Sequence, residues 1–286
     1  MAEIREIVER RVKGLPSFSP AAKRIVSLLN SEGADASQKA GGIIETDPSL
    51  AAAVLRAANS AAYSFRTEVT SVRHAVSLLG VRTVSGIAMA ATAGNVLAGG
   101  GPGEESPWYH SVNTAVTARV LAEYSLTPLQ PELAYVAGLL HDMGKAMLSE
   151  HYKVHADAII ALLDDDLVDD YHIAENEILG MNHTIAGALI AEHWGLPEPI
   201  VEAIRRHHLP AAAMGSERPL VYVVHVADMI SQWSGWGMEL DTLRYPLDPD
   251  YTEVLNIASP RLERIMLTAA RETLTTLDAY SAALRG

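Results

Sequence analysis

The chain is expected to be all-α, and three observations point there. Apolar residues recur at helical rather than alternate spacing, and aromatic residues make up only 6% of a chain rich in alanine. Capping residues also stand before prolines at Ser19-Pro20, Asp47-Pro48, Ser106-Pro107, Thr127-Pro128 and Ser259-Pro260. Each pair reads as a helix start, with the first side chain capping and the proline in the first turn.

Taken in order, LAAAVLRAANS after Pro48-Ser49 puts Leu50, Val54, Leu55 and Ala58 on one helical face. The stretch GNVLAGGGPGEESP (94–107) is rich in glycine and polar residues. It divides the chain into an N-terminal helical part, 1–100, and a second helical part, 101–286. Within the second, LAYVAGLLHDMGKAML (133–148) carries Leu133, Val136, Ala137, Leu140, Met147 and Leu148 in a helical pattern. A further helix begins at His183, and another runs from Pro199 to Pro210. VYVVHVADMI (221–230) looks β-like, but Val221, Val224 and Asp228 share a helical face, so it reads as a buried helix. An irregular stretch, 234–250, precedes one or two C-terminal helices from about residue 250. The acidic tract 164–170 suggests calcium, yet it lacks the glycine and final glutamate of an EF-hand loop and reads as a solvated helix end.

Charge narrows the function. With 22 basic and 35 acidic residues the formal charge is -13, which argues against coating a nucleic-acid polymer or an anionic membrane. No cysteine is present, so disulfides, thiolate metal sites and cysteine nucleophiles are excluded. The first residues are charged throughout with no apolar signal core, and the apolar stretch 86–101 falls short of the roughly 20 residues of a membrane span. A soluble, cytoplasmic protein is expected.

The chemistry gathers on His110, His141, Asp142, His183, His207, His208 and Asp228. Imidazole and carboxylate are the usual ligands of iron, manganese and zinc. His141-Asp142 interrupts an apolar run, where unpartnered polar groups are costly. Metal coordination would satisfy both, and so would an exposed helix end terminated at Gly144. His207-His208 falls in a last helical turn, where histidine also suits the helix dipole. His183 reads equally as a cap, and His110 as a half-buried neighbour of Trp108. Asp228 lies in an apolar run and needs a partner. Of the other histidines, His151 and His155 stand at i, i+4 and could take a surface metal. His74, His172, His193 and His225 read as surface or core residues, with His225, one turn before Asp228, placed to support a ligand.

The order of these residues, with AGLLHDMGK (137–145), resembles the HD superfamily of metal-dependent phosphohydrolases. His183 and the His207-His208 pair resemble its two-metal members, including the HD-GYP cyclic-dinucleotide phosphodiesterases. LPSFSPAAKRIVSLL (15–29), IIETDPSLAAAVLRAANSAAYS (43–64), VTSVRHAVSLLGVRTV (69–84) and WGLPEPI within 181–208 are similar to the HDOD domain, the HD-related output domain of bacterial signalling proteins. That resemblance implies one divalent ion held by His110, His141, Asp142 and Asp228, and a second by His183, His207 and His208, with Asp142 bridging. Iron or manganese is favoured, with zinc or nickel compatible. Asp142 and Lys145 would be the catalytic residues, Lys145 contacting a substrate phosphate; a solvated lysine near a helix end is the plainer alternative. Paired cations lower the pKa of a shared water and let it attack phosphorus.

Two departures limit the resemblance. The Gly-Tyr-Pro loop of HD-GYP enzymes is replaced by LPAAAMGSERPL (209–220), and the glutamate that supplies a third metal falls at Ser106, so two metals are the most expected. Two functions stay open: a phosphohydrolase acting on a nucleotide or cyclic-dinucleotide ligand, or a non-catalytic module that holds metal structurally and binds a signalling protein. No receiver or sensor block is seen in the sequence, so the input is expected in trans or through the ligand.

Overall fold

Helix starts at Asp47, Asp170 and Asn182 are capped by side chains that accept from backbone N–H groups. Asp47 accepts from the N–H groups of Ser49 and Leu50, and the Ser19 hydroxyl donates to the other oxygen of the same carboxylate at 2.7 Å. The Ser19 oxygen also accepts from Ala22 N–H, so two helix starts are tied to one carboxylate. The structure, a computed structural model, describes residues 2–29, 36–97, 107–164, 168, 170–236 and 245–284.

Along the described residues run α1 (Ala2–Lys13), α2 (Pro20–Leu29), α3 (Ala36–Ile44), α4 (Pro48–Ala58) and α5 (Val72–Leu97). They are followed by α6 (Pro107–Ala122), α7 (Pro131–Leu140), α8 (Met143–Asp164), α9 (Tyr171–Leu179) and α10 (His183–Trp194). The last are α11 (Glu198–Arg206), α12 (Arg218–Trp233) and α13 (Ser259–Leu284). The all-α expectation holds: among the described residues the only β feature is an isolated antiparallel bridge, Ser125 to Leu255. VYVVHVADMI is helical, as its Val221–Asp228 face required, and is buried on every side within α12. Thr127-Pro128 does not start a helix. The chain bends at Thr127 without forming a helix, and α7 begins at Pro131 after Gln130. Ser106, the 98–106 part of the glycine-rich stretch, 165–167 and Asp169 of the acidic tract, and 237–244 lie outside the described residues.

In the N-terminal part, α3 and α4 pack on α5, and α2 on α3. In the second part, α6 packs on α7 and α12, α8 on α9 and α10, and α10 on α11. Helix α13 then returns across α4, α5 and α6, and the Arg56 guanidinium of α4 donates twice to the Ala283 carbonyl near its end. One continuous apolar cluster runs from Val8 to Ala283.

Several of the family-like motifs work in this packing. The Trp194 indole N–H donates to the Pro16 carbonyl at 3.2 Å, and its ring meets Phe18 at 4.8 Å between centroids. LPSFSP and WGLP are thus two halves of one contact. Asn59 donates to the Leu55 and Val69 carbonyls and accepts from Val69 N–H, closing the loop after α4. Residues Val72–Thr92 are long and apolar enough to cross a membrane by length and composition, which the inspection of 86–101 missed because Arg73 and Arg82 interrupt the run. Gly80, at φ +79°, breaks this helix, and both of its halves contribute to the core.

Asp47 yields a direct test. Its carboxyl titrates below the usual range because the Ser19 hydroxyl and the two backbone N–H groups stabilise the anion against the opposing effect of burial. Asp47→Ala should lower stability by about 1 kcal/mol near neutral pH. Because the folded pKa is depressed, this contribution is present above the unfolded value of about 3.9 and is lost as pH falls through the folded one. Urea unfolding of the parent and variant should therefore differ at pH 7 and converge at strongly acid pH.

Candidate metal centre

Two glycines set how closely the ligand-bearing helices approach. A Cβ on Gly138 of α7 would lie 2.9 Å from both Thr114 O and Ala115 Cα of α6. One on Gly144, in the first turn of α8, would lie 1.9 Å from the His183 carbonyl oxygen and 2.6 Å from Gly187 N. Gly144 is therefore a contact residue inside α8, not the terminator of a helix. Helix α7 ends at Leu140, and His141 and Asp142 form the turn into α8. Since any added atom at Gly144 meets backbone rather than a mobile side chain, Gly144→Ala should destabilise the fold by at least about 2 kcal/mol, measured by chemical denaturation.

All seven sequence-selected residues converge, each no more than 6% exposed. His110 comes from α6, His141 and Asp142 from the α7–α8 turn, His183 from the first position of α10, His207 and His208 from the end of α11, and Asp228 from α12. The exposed-end and surface-cap alternatives are thereby ruled out for these positions. Lys145 is also buried, with Nζ 2.7 Å from Asp142 Oδ2, so it is not a solvated lysine.

The Asp142 carboxylate faces two ways. Its Oδ2 lies 3.2 Å from His141 Nε2 and 3.6 Å from His110 Nε2. Its Oδ1 lies 3.4 Å from His183 Nε2 and 3.5 Å from His207 Nε2. Asp228 Oδ1 closes the first group at 3.0 Å from His110 Nε2 and 3.8 Å from His141 Nε2. In the second, Asp142, His183, His207 and His208 each offer an atom, all within 4.8 Å of one another. Ligands about 2.0–2.2 Å from one cation sit roughly 3–4 Å apart, which is the spacing seen here.

Outer partners decide which ring nitrogen faces inward. His141 Nδ1 points to the Gly138 carbonyl at 2.8 Å, His207 Nδ1 to the Ile204 carbonyl at 2.9 Å, and His183 Nδ1 to Glu175 Oε2 at 2.7 Å. A carbonyl or carboxylate must receive a proton from Nδ1, so Nε2 of each ring is turned toward Asp142 and is the atom available to a cation. His110 Nδ1 meets the Ser231 hydroxyl at 3.2 Å, and Gln232 donates to Asp228 Oδ1 at 3.0 Å. His225 reaches the main chain of a candidate ligand: its Nδ1 donates to the His207 carbonyl at 2.7 Å, and its Nε2 accepts from Asp248 N–H. His172 is buried beside Asp170, and its ring stacks on His208. His151 and His155 join no group of three candidate ligands among the described residues.

The most consequential residue missed in the sequence is Glu175. It is wholly buried and accepts from His183 N–H as well as facing its ring, and the Tyr152 hydroxyl donates to its other oxygen. Nothing in its local pattern marks it, since an acidic residue on a mixed helix usually faces water. Tyr245, whose ring lies 3.6 Å from that of His208 at 14°, sits within the irregular stretch 234–250 and gave no signal either.

The buried Asp142 Oδ1, Asp228 Oδ2, His183 Nε2, His207 Nε2 and both His208 ring nitrogens have no hydrogen-bond partner. So many desolvated acceptors aimed at one another are unfavourable unless a cation stands among them. The residues therefore fit a metal centre. Without metal, protons do part of that work. Burial opposes the His141 imidazolium, but the Asp142 carboxylate outweighs it and raises the pKa; Glu175 does the same for His183. Burial drives His207 down to about 4 and His208 further, so these two stay neutral. Both aspartates are held ionised against burial, Asp142 by His141 and Lys145 and Asp228 by His110. Metal must displace the protons on His141 and His183, so affinity should rise with pH across the range near neutrality, with proton release measurable by calorimetry in two buffers. Glu175→Gln should weaken metal binding by about 10- to 100-fold in a chelator competition.

Relatives agree with the fold. The HDOD domain family matches residues 15–210. An HDOD domain protein of unknown function from Geobacter sulfurreducens is 25% identical, with a TM-score of 0.66 over 100% of this chain and 99% of that one. A proposed signal-transduction protein from Marinobacter aquaeolei VT8 is 24% identical, with a TM-score of 0.76 over 99% of this chain and 65% of that one. A proposed phosphohydrolase from Shewanella amazonensis SB2B is 22% identical, with a TM-score of 0.66 over 96% and 97%. An uncharacterised Treponema pallidum protein is 26% identical over 189 residues, which span 65% of this chain and 36% of that protein. With the family matched over most of its length, the chain belongs to the HDOD domain family.

Proposed function

We propose that this HDOD protein is a signalling protein built around a two-ion divalent metal centre that hydrolyses a phosphoester of a nucleotide-like ligand. The observation that carries the reading is the division of Asp142, one carboxylate oxygen toward each histidine group. His110, His141, Asp142 and Asp228 would hold one ion and His183, His207 and His208 the other, with iron or manganese best suited to mixed imidazole and carboxylate ligation. Such ions supply Lewis acidity that activates water and neutralises phosphoryl charge. The chain's own residues do the rest. Lys145 brings a buried ammonium to the edge of the carboxylate, where it can meet a phosphoryl oxygen. Glu175 and His225 hold His183 and His207 in place from outside. A cyclic dinucleotide is one candidate substrate, although residues 209–220 lack the Gly-Tyr-Pro motif.

Burial favours a second reading. With every ligand no more than 6% exposed and Tyr245 stacked on His208, the centre suits a structural metal in a non-catalytic module that acts through a signalling protein. Elemental analysis of protein purified without chelators should find two ions per chain, with none in the His141→Ala, Asp142→Ala double variant. A metal content near zero that iron or manganese cannot restore defeats both readings. If metal is present, a screen of cyclic dinucleotides and simple phosphodiesters separates them. In the catalytic case Lys145→Gln should keep its metal and lose roughly 100-fold in turnover, while absence of any turnover leaves the structural role.

A further inference from the structure

A second cavity, of about 260 Å³, opens where α13 lies beside α5, α6 and α7, and none of the seven candidate ligands lines it. Its walls carry Arg82, Arg119 and Arg271, with Tyr135 and Tyr280 behind them. On a chain of formal charge -13, three guanidinium groups around one concavity make a local reversal of field. Glu272 is the acidic residue in the lining, and it is held by Arg119 at 2.7 Å. Arg82 spends its Nε on Glu132 at 2.7 Å. Each of these arginines keeps further N–H donors after its ion pair. Arg271 is exposed and has no ion-pair partner among the described residues.

The tyrosines point the same way. The Tyr135 and Tyr280 hydroxyls hydrogen-bond each other. One of their two protons lies between them, and the other has no acceptor among the described residues. Burial raises the pKa of both, so they remain donors at neutral pH. Gly86 keeps room for the pair, since a Cβ there would stand 2.7 Å from the Tyr280 hydroxyl oxygen and 3.2 Å from the Tyr135 ring. Arg119 lies over the Tyr135 ring, 5.1 Å from its centroid, so guanidinium and aromatic face are presented together. The wall is thus rich in uncommitted donors, and its volume approaches that of small-molecule pockets.

We infer that this cavity is a second ligand site, which binds a phosphomonoester of nucleoside-monophosphate size. The arginine forks receive the phosphate oxygens, and the tyrosine-lined wall receives the flat base. This assignment is independent of whether the metal centre turns over.

Isothermal titration of the full chain with adenosine 5′-monophosphate, inorganic phosphate and adenosine tests it. Saturable binding of the monophosphate with a Kd below about 1 mM is expected, with adenosine and inorganic phosphate each at least about tenfold weaker. Arg271→Gln should weaken the monophosphate by about tenfold, and Arg119→Gln by at least as much, whereas His207→Ala should leave it unchanged. Arg271 is exposed and has no ion-pair partner among the described residues, so its variant should match the parent by circular dichroism. No saturable binding, equal affinity for inorganic phosphate, indifference to Arg271→Gln, or loss with His207→Ala would each overturn the assignment.

Discussion

The candidate metal centre depends on backbone passing against backbone at Gly138 and Gly144. Each of these contacts leaves no volume for even one methyl group, because the opposing atoms are main chain and cannot swing aside. Gly138 brings α7 against α6, and so fixes His141 relative to His110. Gly144 brings α8 against the start of α10, and so fixes Asp142 and Lys145 relative to His183. Distances of 3–4 Å between side chains from five separate segments would otherwise be left to rotamers. Here they are set by the scaffold.

A scaffold this rigid has gathered groups that oppose one another. Two ionised carboxylates and five imidazoles share a buried volume, and each outer hydrogen bond turns a lone pair further inward. Gly138, Ile204 and Glu175 all take the Nδ1 proton, which removes the ring's option of rotating its donor toward the centre. The effective cost of a buried, unpaired ion is several kcal/mol, so such an arrangement is expected where a cation compensates for it. The proton distribution fits the same view. His141 and His183, beside carboxylates, hold protons that metal would replace, while His207 and His208 stay neutral and open. The fold therefore carries the electrostatic preference for metal in the position of its hydrogen bonds as much as in its ligands.

Much of this was legible in the sequence, and the parts that were not share a cause. The helical class followed from spacing, and the seven candidate ligands from their order along the chain and the family resemblance it carries; single positions were weaker marks, since a polar residue in an apolar run says only that it must find a partner. Asp228 was the clearest single case. The paired caps of Ser19 and Asp47 were readable as separate helix starts, though not as one hydrogen-bonded unit, because 28 residues separate them. Thr127-Pro128 misled because a capping residue and a proline suit a bend between elements as well as a helix start. Glu175 and Tyr245 were invisible because their roles are made by tertiary contact alone. An acidic residue eight positions before His183, on a helix with an ordinary mixed pattern, has no local mark of burial.

The close contact between α6 and α7 also stands between the two sites. On α6, His110 and Arg119 are nine residues apart, about 13 Å along the axis, and Ala115 lies between them. Along α7 and the turn that follows it, Tyr135 and His141 lie on either side of Gly138, which meets that same alanine. The helices thus touch backbone to backbone at a point with the metal centre toward one side and the arginine-lined cavity toward the other. A pair interlocked in this way resists sliding, because main chain meets main chain and neither side can give, so the one contact sets the register of both walls.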